Sequence, residues 1–245
     1  MLPQLLSLLT LATIALASYG LGRPIVRGLG VGEEDRLSIG VWSVATGLVL
    51  GGTLLALLGL AGVLYPPLIG ALSLAACFWG IGQLLSVAGR NDDGATVHRL
   101  STSNQGDESP RAPWSSPPRW LLGGILTAAG LACLGSLLSA MAPPTAGDAL
   151  CYHLELPKAF LADHAITYLP YSENCTYPLL VEMWYLWALA LDGGVSAQMV
   201  HWAAGVLLGL ATVLLATPLV GRPWAWGAGA VVVRSIGCGK GRSAR

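Results

Sequence analysis

The sequence predicts an all-α protein, a polytopic transmembrane helical bundle with an extracytoplasmic loop containing short amphipathic helices. Three observations predict it. Of 245 residues, 54% are hydrophobic and only 11% charged, against roughly 45–50% and about 25% in soluble proteins, and a soluble fold cannot hide that much apolar surface. Four apolar runs within the first 142 residues reach the roughly 20 residues needed to cross a hydrocarbon core, where the absence of water obliges the backbone to bond within its own segment. The polar residues gather in a few connections between such runs.

The first run covers 2–21. Met1 to Gln4 lack the positive start of a secretory signal, and the apolar stretch continues to Gly22, beyond the length of a signal core, so it reads as a retained helix. Runs 37–64 and 68–89 follow, joined by a tight turn at Tyr65, Pro66 and Pro67. Residues 90–119, rich in Ser, Asp, Asn, Gly and Pro without helical or strand period, read as a flexible polar loop. The fourth run is 120–142. Residues 143–178 then mix aromatics, acids, a histidine and a lysine, and look built for a purpose.

Beyond them, 179–191 is apolar but short and carries Glu182; Asp192, Gly193 and Gly194 break it before a long run at 195–220. A last run, 223–233, is too short to span unless the tail joins it. The chain thus divides into three N-terminal helices (1–89), a cytoplasmic loop (90–119), a second helical region holding the outer loop (120–233) and a basic tail (234–245).

Cytoplasmic loops collect Lys and Arg near helix ends. Arg23, Arg27 and Arg36 fall in the first connection and Arg90, Arg99, Arg111 and Arg119 in the third, so both are expected inside and 143–178 outside, with Lys158 its only strong base. Continued alternation places Asp192 inside, Arg222 outside against the rule, and Arg234, Lys240, Arg242 and Arg245 inside. The expected location is the plasma (inner) membrane.

Formal net charge is zero, and no basic stripe is interleaved with aromatics, which excludes nucleic acid as a partner. The five cysteines, Cys77, Cys133, Cys151, Cys175 and Cys238, form no CxxC pair and have no zinc-like spacing with histidine. Cys151 and Cys175 share the outer loop, where a disulfide between them stays open. Gly28, Gly30 and Gly32 follow no strand, and the tail around Lys240 lacks phosphate-loop spacing. Asn174-Cys175-Thr176 has N-glycosylation spacing.

In the outer loop, Asp148 is a natural N-cap for a helix starting at Ala149. At 3.6 residues per turn, Cys151, Tyr152 and Glu155 share its face and His153 looks sideways. Pro157 is expected to interrupt, starting a second short helix with Lys158 on its first turn. Tyr, Phe and Leu among isolated polar groups suit helices at the headgroup level, where a lipid-linked substrate presents its phosphate.

Each of these residues also has a plain structural reading. Asp148 serves as a cap, and His153 and His201 as packed or hydrogen-bonded side chains. Glu182 is more informative, because an acid at membrane depth is costly and usually faces a cavity or a partner, although its place near the outer end also allows it to be wet.

Taken in order, Gly147-Asp148 after a helix, Tyr152-His153 and Pro157-Lys158 in a kinked amphipathic stretch, Tyr177-Pro178 entering a helix, and Gly194-Val195-Ser196 opening another that bears His201 form a pattern. It resembles the first outer loop and next two helices of GT-C glycosyltransferases, the class that includes dolichyl-phosphate-mannose protein mannosyltransferases and aminoarabinose transferases. The resemblance covers about a third of the chain, from 143 to about 220.

It implies inverting transfer of a sugar from a polyprenyl-phosphate donor in the membrane to an acceptor that the sequence does not specify. Asp148 would be general base or metal contact for the acceptor hydroxyl, and Tyr152, His153, Glu155 and Lys158 would bind substrate. No cofactor is expected, and a divalent ion at Asp148 lacks an adjacent second acid, since Ala149 and Leu150 follow. Family chains continue through further helices, whereas this one turns basic after Val233, so an incomplete, inactive fragment is one expectation. The alternatives are a multi-pass transporter or flippase and a non-catalytic membrane assembly partner.

Overall fold

The computed structural model describes residues 2–31, 35–94, 117–145, 147, 149–170, 172 and 179–238. Among them the chain is all helix: α1 (Leu2–Gly28), α2 (Arg36–Leu60), α3 (Pro66–Gly94), α4 (Arg119–Ala140), a five-residue π turn (Ala149–His153), α5 (Glu155–Asp163), α6 (Leu180–Leu191), α7 (Gly194–Val220) and α8 (Arg222–Cys238). Five of these, α1 to α4 and α7, are long and apolar enough to cross a membrane, which makes the chain an integral membrane protein.

Lipid is as apolar as any side chain, so membrane helices associate through close packing at small residues. The α1–α2 contact shows this. A Cβ on Gly22 would fall on the Ser43 carbonyl, and one on Gly47 would fall on the Ser18 carbonyl. Ser18/Gly22 and Ser43/Gly47 are each spaced four apart, so the small residues stack along one face of each helix. The α1–α3 contact uses Gly20 and Gly80 in the same way, and the α7–α8 contact uses Gly209 and Gly229.

One end of the bundle is set by the described residues of the 143–178 connection, called the outer loop after the side on which the sequence predicts it. The Leu64 N–H donates to the His164 carbonyl at 2.9 Å and the Ile166 N–H to the Gly59 carbonyl at 2.9 Å, which ties the segment after α5 to the α2–α3 turn. His164 itself has φ 56°, the left-handed conformation of a helix terminus, and its ring stacks on Tyr65 at 4.2 Å.

The α6–α7 turn lies at this same end. Asp192 accepts hydrogen bonds from Ser7 near the start of α1, at 2.8 Å, and from Ser196. Gly194 packs on Pro144, just past the end of α4. At about 1.5 Å per residue the 12 residues of α6 reach only about 18 Å, well short of the roughly 30 Å of a hydrocarbon core. Leu180 lies against Gly52, deep in α2, so α6 starts within the bundle and returns to the end it came from.

This overturns the expected alternation. Asp192 shares the end of the outer loop, α7 runs from there to the opposite end, and Arg222, at the start of α8, joins Arg27 and Arg36. α8 returns alongside α7, with Gly229 against Val213 and Val233 against Gly209, so Arg234 lies about midway along α7 and not at the end of Arg222, against expectation.

Boundaries shift as well. α1 does not stop at 21: it continues through Pro24 to Gly28, carrying Arg23, which is buried at 8% exposure, and Arg27 within the helix. α3 begins with Pro66 and Pro67 in its first turn, where a missing N–H costs nothing, and extends to Gly94, so 90–94 are helical. α8 runs past 233 to Cys238, so the first residues assigned to the tail are helical. The rest of the expected flexible loop, 95–116, and the tail, 239–245, lie outside the described residues.

Candidate functional site

The outer loop departs from its expected form at one point. The residues from Ala149 make a π turn, not an α-helix, and the break falls at Leu154, so the second helix starts at Glu155 with Pro157 in its first turn. Proline lacks the N–H that a first turn leaves unbonded anyway, which lets the helix begin two residues earlier than expected. Glu155 therefore opens the second helix and does not extend the face of Cys151 and Tyr152. α5 buries Leu156, Pro157 and Phe160 and leaves Glu155 and Lys158 exposed.

The π turn directs His153 inward. Its Nδ1 lies 2.9 Å from Oε1 of Glu182, in the first turn of α6. The Glu182 side chain is 9% exposed and that of His153 31%. An acid inside an apolar helix is tolerated only with a partner, and the loop supplies one. The N-terminal end of α6, with its unbonded N–H groups, also favours a negative charge there. An ionised carboxylate only accepts, and against it Nδ1 is the donor.

Tyr152 tilts over the His153 ring at 4.0 Å, and Tyr185 meets it edge-on at 5.8 Å. Tyr185, three residues after Glu182 and on the same face of α6, is buried, and its hydroxyl lies 2.6 Å from Nδ1 of His201 on α7. A connected polar cluster results, with His153 from the loop, Glu182 and Tyr185 from α6, and His201 from α7.

Two tryptophans hold α6 in place for this contact. Trp184 donates from Nε1 to the Leu48 carbonyl at 2.8 Å, and Trp187 to Ser73 Oγ at 2.7 Å. The Trp187 ring rests on Gly51, where no side chain intervenes. A crevice of about 250 Å³ beside it, between α1, α2 and α3, is lined almost wholly by apolar groups, and its lining includes neither Glu182 nor His153.

Of the residues singled out in the sequence, Tyr152 and His153 come together with Glu182, while Glu155 and Lys158 face outward. Asp148, Cys175 and the Asn174-Cys175-Thr176 triplet lie outside the described residues, and Cys151 is exposed. Tyr185 was not singled out; its signal was its spacing of three from an acid in a short apolar helix. Among the described residues no group of three or more His, Cys, Asp or Glu is placed to hold a metal. Comparison with protein-family models, with curated proteins and with solved structures finds no match to the chain.

Proposed function

We propose that this chain is a glycosyltransferase-like membrane protein that moves a sugar from a polyprenyl-phosphate carrier to an acceptor hydroxyl at the end of the bundle closed by the outer loop. The observation that carries the reading is the His153–Glu182 contact, in which a loop at headgroup level is bonded to a buried acid of the bundle. The order of features shared with GT-C enzymes supports the same reading.

An acceptor hydroxyl is a poor nucleophile until a base takes its proton as the new bond forms, a contribution of about 10²- to 10⁴-fold. The carrier phosphate is already a good leaving group and asks chiefly for neutralisation of charge, which exposed Lys158 is suited to give. The loop offers two bases: Asp148, which the resemblance assigns, and His153.

Membranes bearing the chain, incubated with radiolabelled polyprenyl-phosphate sugars, are expected to pass label to an acceptor. Joint substitution Asp148→Asn and His153→Gln should lower turnover about 10²- to 10⁴-fold; undiminished transfer by this variant would end the role of both bases, and absence of transfer by the unsubstituted protein would end the reading. A second reading, lipid-linked sugar translocation, has α6 in its favour, since a short helix that does not cross and carries a buried acid is what transporters use at their sites. Movement of intact donor across proteoliposomes without transfer would favour it.

A further inference from the structure

We infer that His153 is the general base of the proposed reaction and Glu182 its positioning residue. The assignment rests on the transfer reading for its substrate, but its geometry stands without it. Nδ1 is committed to Glu182 at 2.9 Å, so Nε2 is the nitrogen left to meet anything outside, and in the neutral ring with Nδ1 protonated it holds a lone pair. Imidazole is the side chain suited to alternate between neutral and protonated forms near pH 7.

The pair is graded from inside to outside. The acid is almost closed off and the imidazole is about one third open, the arrangement in which a buried carboxylate fixes the tautomer and ring direction of a histidine that works on a hydroxyl. Tyr152 over one face and Tyr185 at the edge restrict the ring further, and Tyr185 is itself held by His201. A base must be held within a few tenths of an ångström of its working position to be effective, and each side chain packed around His153 contributes to that.

In the step itself the acceptor oxygen forms a bond to the anomeric carbon while the bond from that carbon to the carrier phosphate oxygen breaks, the phosphate leaving with the electron pair. The hydroxyl proton passes to Nε2. Glu182 then faces an imidazolium, which returns its proton to water before the next turnover.

Two measurements on the full chain test this. In protein labelled with ¹⁵N-histidine, the signal that disappears in His153→Gln is expected to show Nδ1 protonated and Nε2 bare at neutral pH, and to lose that preference in Glu182→Ala; a protonated, non-basic Nε2 would overturn the pairing. In the transfer assay, His153→Gln is expected to lose about 10²- to 10⁴-fold in turnover and Asp148→Asn less than about tenfold. Glu182→Ala should lower turnover with little change in the KM for donor, and Glu182→Gln, which keeps an oxygen facing Nδ1, should recover part of it. Full activity of His153→Gln beside an inactive Asp148→Asn would overturn the assignment. Absence of transfer by the unsubstituted protein would sink the transfer reading and the role of base with it, whereas the tautomer would still report whether the pair exists.

Discussion

α4 and α6 are both apolar helices, and they do opposite work. α4 has 22 residues and buries only Ala129 and Ala140 among them; its leucines 131, 134 and 138 stand 66%, 55% and 62% exposed. α6 has 12 residues and buries Glu182, Met183, Tyr185, Leu186, Trp187 and Ala188. A helix that faces lipid needs no protein partner for its apolar surface, because the bilayer core is as apolar as the side chains. A helix that carries an acid, a phenol and two indoles needs one for each polar atom. Hydropathy therefore says which segments can live in a membrane, and polar groups within them say which are at the centre of the protein.

Trp187→Ala should widen that contrast most. It removes a buried ring and the bond to Ser73, and the expected loss is about 3 kcal/mol, the lower end for buried aromatics since the ring's transfer to lipid is nearly neutral. Thermal unfolding in detergent reads it, and an unchanged midpoint would contradict the central position of α6. Asp192→Ala comes next. Ser196, which is buried, would lose its acceptor and Ser7 would keep only the Pro3 carbonyl, at a cost of about 1 kcal/mol in the same measurement. Leu134→Ala on α4 is the smallest, within about 0.5 kcal/mol; a loss comparable to that at Trp187 would mean that α4 is covered by another protein surface.

The long helices were legible because local composition decides them: runs 37–64, 120–142 and 195–220 became α2, α4 and α7 with small changes at the ends. Their packing was legible in principle too, in the four-residue spacing of Ser18 with Gly22 and Ser43 with Gly47. The course of α6 was not. Its length allowed a crossing with help from the flanking residues, and what decides against one is tertiary: Trp184 on Leu48, Trp187 on Ser73 and Asp192 on Ser7.

The site followed the same division. Glu182 stood out by the cost of its charge, and the structure supplies its partner in His153. Helical spacing from Asp148 turned attention to Tyr152 and Glu155 and left His153 sideways, because a regular α-helix was assumed where the chain makes a π turn. No spacing rule links His153 to a residue 29 positions away.

The return of α6 to the end it started from is tested most directly by cysteine accessibility. In a background without the native cysteines, single cysteines at Ala162 in α5, Asp192 in the α6–α7 turn and Leu29 after α1 would be exposed to a membrane-impermeant thiol reagent in sealed vesicles of one orientation. Positions 162 and 192 are expected to react from the same side, and 29 only from the other. Reaction of 192 together with 29, and apart from 162, would show that α6 crosses the membrane and would contradict the fold on which the His153–Glu182 site depends.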